Sequence, residues 1–267
     1  MTKTMSESGK LIMEKDGPVT RITMNRPRVH NALDEELSQD LHDAFRAVSV
    51  DRDCRVMVLS GAGETFCAGD DVKQFGGWDV EHAYWQCRLY QDTVTILEKM
   101  DAVTIAKVDG ICTGGGLELT LASDFVVATD RSKWGMPEIN WDITPGWGGT
   151  GKIAKYAGRR KAKEWNLTGA LFSAQKAERY DLVNTLVTPD QLDAEVEQLV
   201  QIMLSKAPEA LRRTKYYLDQ GSDLPYSQTL AFEGVPREQP TFQGVKDFAD
   251  TELRNKRREL LDGFWFD

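Results

Sequence analysis

Two acids and a run of glycines are the residues of this chain best suited to chemistry. The stretch Asp109-Gly110-Ile111-Cys112-Thr113-Gly114-Gly115-Gly116-Leu117-Glu118 places three consecutive glycines between a strand-like and a helix-like segment. Glycines there let a backbone approach a ligand closely. Their N–H groups, at a helix N-terminus, suit an anion or a developing oxyanion. A plain tight turn uses glycine in the same way. Upstream, Phe66-Cys67-Ala68-Gly69-Asp70-Asp71-Val72-Lys73 makes a second turn of small residues ahead of a helix and offers a second N–H. Glu118 falls just inside a helix, where the dipole favours an acid even without chemistry. Glu138 follows Met136-Pro137 and precedes Ile139 and Trp141, so partial desolvation would raise its pKa toward useful proton transfer. Taken singly, either glutamate is equally an ordinary capping or surface residue.

Other chemistries find less support. Gly146-Trp147-Gly148-Gly149-Thr150-Gly151-Lys152 matches the GxxxxGK part of a phosphate-binding loop, but Ile153 stands where a magnesium-binding hydroxyl belongs. The four cysteines (Cys54, Cys67, Cys87, Cys112) form no CxxC pair, and three histidines without HExxH argue against a metal site. A net charge of −9 argues against a general nucleic-acid surface. The basic run Arg254-Asn255-Lys256-Arg257-Arg258 reads as a solvated helix face. The N-terminus lacks an apolar signal-like core, and no run of ~18 apolar residues occurs. The expectation is a soluble, cytoplasmic protein with no membrane contact.

The elements that must position these groups follow from the hydrophobic pattern. Leu11–Met13 and Val19–Met24 alternate like strands around Asp16-Gly17-Pro18, and Asp34 fits the N-cap of a helix from Glu35 to Val48. Arg55–Ser60 is a buried-strand run closed by Gly61-Ala62-Gly63. The same order of strand, glycine loop and helix returns at Val103–Val108 with Leu117–Ala122. After the strand Phe125–Ala128 it returns again in Pro145–Gly149, which leads into a helix near Lys152–Tyr156. That order argues for an α/β spiral or layered sheet, in a chain of 267 residues that can bury a sizeable core. From Ala174 the pattern turns helical, over Ala174–Tyr180, Leu192–Leu204, Pro208–Gln220, Ser227–Val235 and Val245–Asp250. This tail reads as a helical cap or oligomerisation module joined near residues 200–207.

Four ordered motifs together are similar to one known family. NRPxxxNAL (Asn25–Leu33), GAGETFCAGDDVK (Gly61–Lys73), DGICTGGGLELTLASDF (Asp109–Phe125) and MPEINWDITPGWGGT (Met136–Thr150) resemble the crotonase, or enoyl-CoA hydratase/isomerase, superfamily. The resemblance covers the chain from about residue 10 to the C-terminal helices. It implies an α/β crotonase-like spiral of ββα units over residues 1–200, carrying the CoA-thioester site. Residues 201–267 become a C-terminal helical trimerisation region, giving a trimer or a dimer of trimers. It further implies that the backbone N–H groups of Asp70 and Gly115 clamp the thioester carbonyl. Hydratases of the family often carry a small apolar residue where Asp70 stands. Glu118 and Glu138 match the two hydratase glutamates, Glu118 chiefly activating water and Glu138 chiefly protonating C2. Gly146 stands where the family orients the site through a backbone N–H. The nucleotide of coenzyme A is expected along Arg26–Val29 and the backbone of Cys67, Ala68 and Asp70, with Lys73 as a charge partner and Lys256 helping from a neighbouring subunit.

The implied activity is hydration of a 2-enoyl-CoA, with no metal and no cofactor beyond the coenzyme A of the substrate. Aromatic residues crowd Phe75–Tyr90 and Trp134–Trp147; they read either as core and trimer packing or as an acyl pocket, lined by Trp78, Trp85 and Trp141, that favours a short or substituted acyl group. The rival readings are hydration followed by cleavage or thioester hydrolysis, on methylthioacryloyl-CoA or phenylpropenoyl-CoA, and a non-catalytic binding member.

Overall fold

The computed structural model describes residues 1–233 together with Asn255 and Glu259. The expected helix 245–250 and Lys256 lie outside the described residues. A hairpin opens the fold: β2 (Leu11–Asp16) and β3 (Val19–Met24) pair antiparallel around Gly17, whose φ of +54° suits glycine. An additional strand that the hydrophobic pattern does not announce, β1 (Thr2–Met5), pairs antiparallel with β2. All four of its residues are exposed, so it has no buried face to leave an alternating signature.

From β3 onward the chain winds. Helix α1 (Glu35–Val50) starts where Asp34 accepts a hydrogen bond from the Leu37 N–H at 2.9 Å, and buries Leu37, Leu41, Phe45 and Val48 along one stripe. Strand β4 (Val56–Gly61) follows, then α2 (Val80–Glu98). The third turn is β5 (Val103–Val108), β6 (Ile111–Thr113) and α3 (Gly115–Leu121). The fourth is β7 (Phe125–Thr129), β8 (Lys133–Gly135) and α4 (Gly149–Thr168). Helix α4 runs well beyond the expected Lys152–Tyr156 and is interrupted at Gly158, where φ is +76°. The chain closes with β9 (Phe172–Ser173), α5 (Ala174–Arg179), β10 (Thr185–Val187), α6 (Leu192–Leu204), α7 (Pro208–Gly221) and α8 (Tyr226–Glu233).

Among the described residues the large sheet runs β1-β2-β3-β4-β5-β7-β10, parallel from β3 to β10. A small sheet runs β6-β8-β9, and single parallel bridges from Cys67 to Cys112 and from Leu33 to Asp70 continue its course. Each turn of the spiral therefore visits the large sheet, then the small one, then a helix. This is the α/β spiral of ββα units anticipated from the motifs, and its parallel sheet is buried on both faces, as crossover topology requires. Period-2 alternation sorts the side chains. Met57, Leu59, Ala106, Val126 and Ala128 join the core with α1, while Val56, Val58, Val103, Ile105 and Val127 pack on Leu192, Val196, Leu199 and Val200 of α6. Helix α6 ends at Leu204 and α7 begins at Pro208, with a short connection between them. No helix among the described residues is long and apolar enough to cross a membrane.

Candidate active site

The small sheet aligns the two glycine turns. Cys67 N–H donates to the Ile111 carbonyl at 2.9 Å and Thr113 N–H donates to the Cys67 carbonyl at 3.0 Å. The residues just beyond, Gly69-Asp70 and Gly114-Gly115, are thereby pressed together. A Cβ on Gly69, whose φ is +91°, would lie 2.9 Å from the Thr113 carbonyl and 3.3 Å from the Gly115 nitrogen. Side chains at either turn would separate them, which is the physical reason for glycine here. Gly115 is the first residue of α3, where N–H groups lack intrahelical acceptors. Leu33 fixes the outer turn from both sides: its N–H donates to Gly69, and its carbonyl accepts from Asp71, each at 2.8 Å.

The acids come from the third and fourth turns of the spiral. Glu118, on the first turn of α3, is fully buried, and its Oε1 accepts the N–H groups of Trp147 at 2.9 Å and Gly149 at 2.7 Å. Its Oε2 is buried with no hydrogen-bond partner among the described residues. Glu138 opens a 3-10 turn, Glu138–Trp141, and is 6% exposed; neither of its oxygens has a partner among the described residues. Its Oε1 lies 3.4 Å from where a Cβ on Gly114 would sit, so the carboxyl group faces the glycine turn directly. Burial pushes the Glu138 carboxyl up to about 7, with the charge of Asp70 adding to the effect. Glu118 is raised well above the ordinary range, first by burial and then by the nearby Glu138; the two N–H donors oppose the rise. Asp70 is pushed up to about 6 by burial, against the indole N–H of Trp147, which donates to its Oδ1 at 3.0 Å. A cleft of about 140 Å³ is lined by Ala68, Asp70, Val72, Glu138, Trp141 and Ile143 among others.

The remaining expected site residues divide. Ala68 lines the cleft, and Trp141, 59% exposed, stands at its edge. Val29 and Lys73 are exposed, the first at the end of the 3-10 turn Pro27–Val29 and the second two residues after Asp71. Arg26 is engaged within the fold: its guanidinium donates to the Ala32 carbonyl and pairs with Asp34 at 3.0 Å and Asp71 at 3.2 Å, bracing the N-cap of α1. The Cys67 side chain is buried beside the small sheet, its thiol pushed up to about 12 by desolvation, and the residue does not line the cleft. Gly146 makes neither of the hydrogen bonds that orient Glu118; these come from Trp147 and Gly149, one and three residues further on.

Of the aromatic rings expected around an acyl group, Trp78 donates to Glu35 at 2.8 Å and packs on the core, and Trp85 is 62% exposed against Tyr84. Neither lines the cleft. The ring that backs the site is Trp147, fully buried and stacked on Tyr90 with centroids 4.3 Å apart. The pattern of residue types did not single it out. The sole large side chain in a glycine-rich loop was the available signal. The phosphate-loop lookalike around it has a different use: its N–H groups serve Glu118, and Lys152 pairs with Glu98 at 2.9 Å. Among the described residues no group of His, Cys, Asp or Glu is arranged to hold a metal ion.

Two paired main-chain turns thus lie beside two buried, desolvated glutamates, an arrangement suited to acid–base chemistry and to holding a developing oxyanion. Residues 14–248 match the enoyl-CoA hydratase/isomerase family, and the chain belongs to it. It is 32% identical over 224 residues to the crotonyl-CoA hydratase of Syntrophomonas wolfei, covering 84% of this chain and 86% of that one. It is 30% identical over 228 residues to the short-chain-enoyl-CoA hydratase of Clostridium acetobutylicum, with 85% and 87% covered. The crystal structure of an enoyl-CoA hydratase from Bacillus anthracis superposes with a TM-score of 0.84 at 31% identity, covering 90% of this chain and 96% of that one.

Proposed function

We propose that this protein adds water across the 2,3 double bond of a 2-enoyl-CoA thioester bearing a short or substituted acyl group. The observation that carries the proposal is the placement of Glu118 and Glu138, both buried, around the paired turns of Gly69-Asp70 and Gly114-Gly115. The thioester oxygen accepts the N–H groups of Asp70 and Gly115. As Glu118 takes a proton from water, the water oxygen bonds to C3 and the π electrons move toward that oxygen as an enolate. Glu138 returns a proton to C2 and the carbonyl re-forms. A carboxyl group held at about 7 carries its proton for half of the molecules at neutral pH, which suits a donor. The N–H donors from Trp147 and Gly149 favour the ionised, basic form of Glu118.

The reaction as written needs no resident cofactor, and coenzyme A enters as part of the substrate. The small cleft and the short-chain relatives support a short acyl group. A homotrimer or dimer of trimers, assembled through residues 201–267, and a cytoplasmic setting, which suits the chain's free thiols, belong to the same reading.

The test is turnover of a panel of 2-enoyl-CoA thioesters of increasing length, with free CoA thiol measured in parallel. Short-chain hydration without thiol release is expected, and Glu118→Ala and Glu138→Ala should each lower turnover at least ~100-fold with thioester affinity changed only a few fold. Thiol or aldehyde release would replace hydration by hydrolysis or cleavage. Near-normal turnover in either variant would remove that residue from the acid–base pair.

A further inference from the structure

Hydration uses only the backbone N–H of Asp70, yet the carboxyl group of this residue is deliberately held. Its Oδ1 accepts the Trp147 indole N–H at 3.0 Å. That indole cannot swing, because the ring is fully buried, stacks on Tyr90 and lies against Gly115, where an added Cβ would come within 3.0 Å of the indole nitrogen. Asp70 is also part of the cleft wall. The other walls are Ala68, Val72, Pro137, Trp141 and Ile143 with the glycine turns, and among the described residues the one further acid in the lining is Glu138, 6% exposed with both oxygens lacking a partner. Among the described residues no lysine or arginine lines this cleft.

A hydrocarbon acyl group seated there would strip water from Asp70 and give nothing back, which is unfavourable for a polar group. An acyl group with a hydroxyl returns a hydrogen bond. A carboxylated acyl group would bring a like charge against two acids. We infer that the Asp70 carboxyl group, fixed by Trp147, reads the acyl group. It accepts a hydrogen bond from a hydroxyl on the chain beyond C3, so the enzyme selects hydroxylated 2-enoyl thioesters over hydrocarbon ones of the same size. This specificity role rests on the hydration reading above. Burial already holds both acids toward their neutral forms, so a neutral donor satisfies the site without a cation.

The test compares two substrates with the same number of acyl heavy atoms, 4-hydroxybut-2-enoyl-CoA and pent-2-enoyl-CoA. Wild type should favour the hydroxylated one by ~10-fold or more in kcat/KM, and Asp70→Ala, which keeps the backbone N–H, should lower that ratio by at least ~10-fold. A wild type with no preference, or a ratio in Asp70→Ala within twofold of wild type, overturns the inference. Binding of the unreactive pair 4-hydroxybutyryl-CoA and pentanoyl-CoA, followed by calorimetry, repeats the comparison without turnover. It decides the matter if Asp70→Ala is inactive: the same shift in ratio supports the reading and an unchanged ratio refutes it. A wild type that hydrates neither enoyl thioester defeats the hydration reading instead, and the calorimetric ratio still judges Asp70.

Discussion

Replacing Glu138 by glutamine should make the protein more stable and nearly inactive at once, and the size of the first effect follows from burial. An ordinary glutamate titrates near 4.5, whereas Glu138 in the fold is pushed up to about 7. Between these values the folded state binds more protons than the unfolded chain, so ionisation of Glu138 erodes stability as pH rises through this window. The loss is complete once pH exceeds the folded value. Linkage gives about 1 kcal/mol at pH 5 and about 3 kcal/mol at pH 8. Glutamine has nearly the same volume and never ionises. Its amide would meet the same surroundings, in which the carboxyl oxygens already lack partners among the described residues. The stability gain of Glu138→Gln over wild type should therefore grow by about 2 kcal/mol between pH 5 and pH 8. Urea midpoints for both proteins, at one protein concentration because any assembly would shift them, measure it. A gain of the same size at both pH values, or none at pH 8, would refute the assignment of a desolvated, proton-holding Glu138.

Two further changes test the cradle and the cleft. Gly115→Pro deletes one N–H donor and adds a Cβ only 2.9 Å from Leu33 and 3.0 Å from Trp147, so turnover should fall ~10²–10³-fold; circular dichroism first establishes folding, and a folded, fully active variant contradicts the oxyanion role. Trp141→Ala, at the cleft edge, should shift kcat/KM toward longer enoyl chains with little change in Tm, whereas Trp78→Ala, packed on the core, should lower Tm and leave the chain-length profile alone. An unchanged profile in Trp141→Ala would remove Trp141 from the acyl wall.

What could be read from residue types was what glycine and periodicity must mark. The turns at Gly69 and Gly114-Gly115 admit no side chain, so their close approach is written in the sequence as glycine itself. Strands with two buried faces declare themselves as apolar runs, and Asp34 declares the start of α1 through its cap. Strand β1 was hidden because an exposed edge strand of Thr2–Met5 has no hydrophobic alternation. Helix α2 was hidden for a related reason: its buried residues, Tyr90, Thr93, Val94 and Leu97, all lie in its second half, although Asp79 accepting from the His82 N–H at 2.8 Å was a readable cap. The pairing of Arg26 with Asp34 and Asp71 was not legible, because a cation bracing a helix cap looks the same in sequence as one beside a ligand loop. The donors to Glu118 were beyond reading, since a main-chain N–H carries no side-chain signature.

The least legible residue ties the site together. Asp70 raises the proton affinity of both Glu118 and Glu138, Glu138 raises that of Glu118, and among the described residues no lysine or arginine lines the cleft that Asp70 and Glu138 share. Such a cluster is tolerable only where fixed dipoles replace the missing cations. Trp147 supplies two of them, its N–H to Glu118 and its indole to Asp70, while Gly149 at the start of α4 supplies a third. The Glu138 oxygens have no hydrogen-bond partner among the described residues, only the residue's own main chain opposing the rise in proton affinity, and it is the acid assigned to give up a proton. The two glutamates thus differ in dipole placement: the N–H groups of Trp147 and Gly149 offset part of the rise that burial and Glu138 impose on Glu118, and no such pair serves the Glu138 oxygens among the described residues.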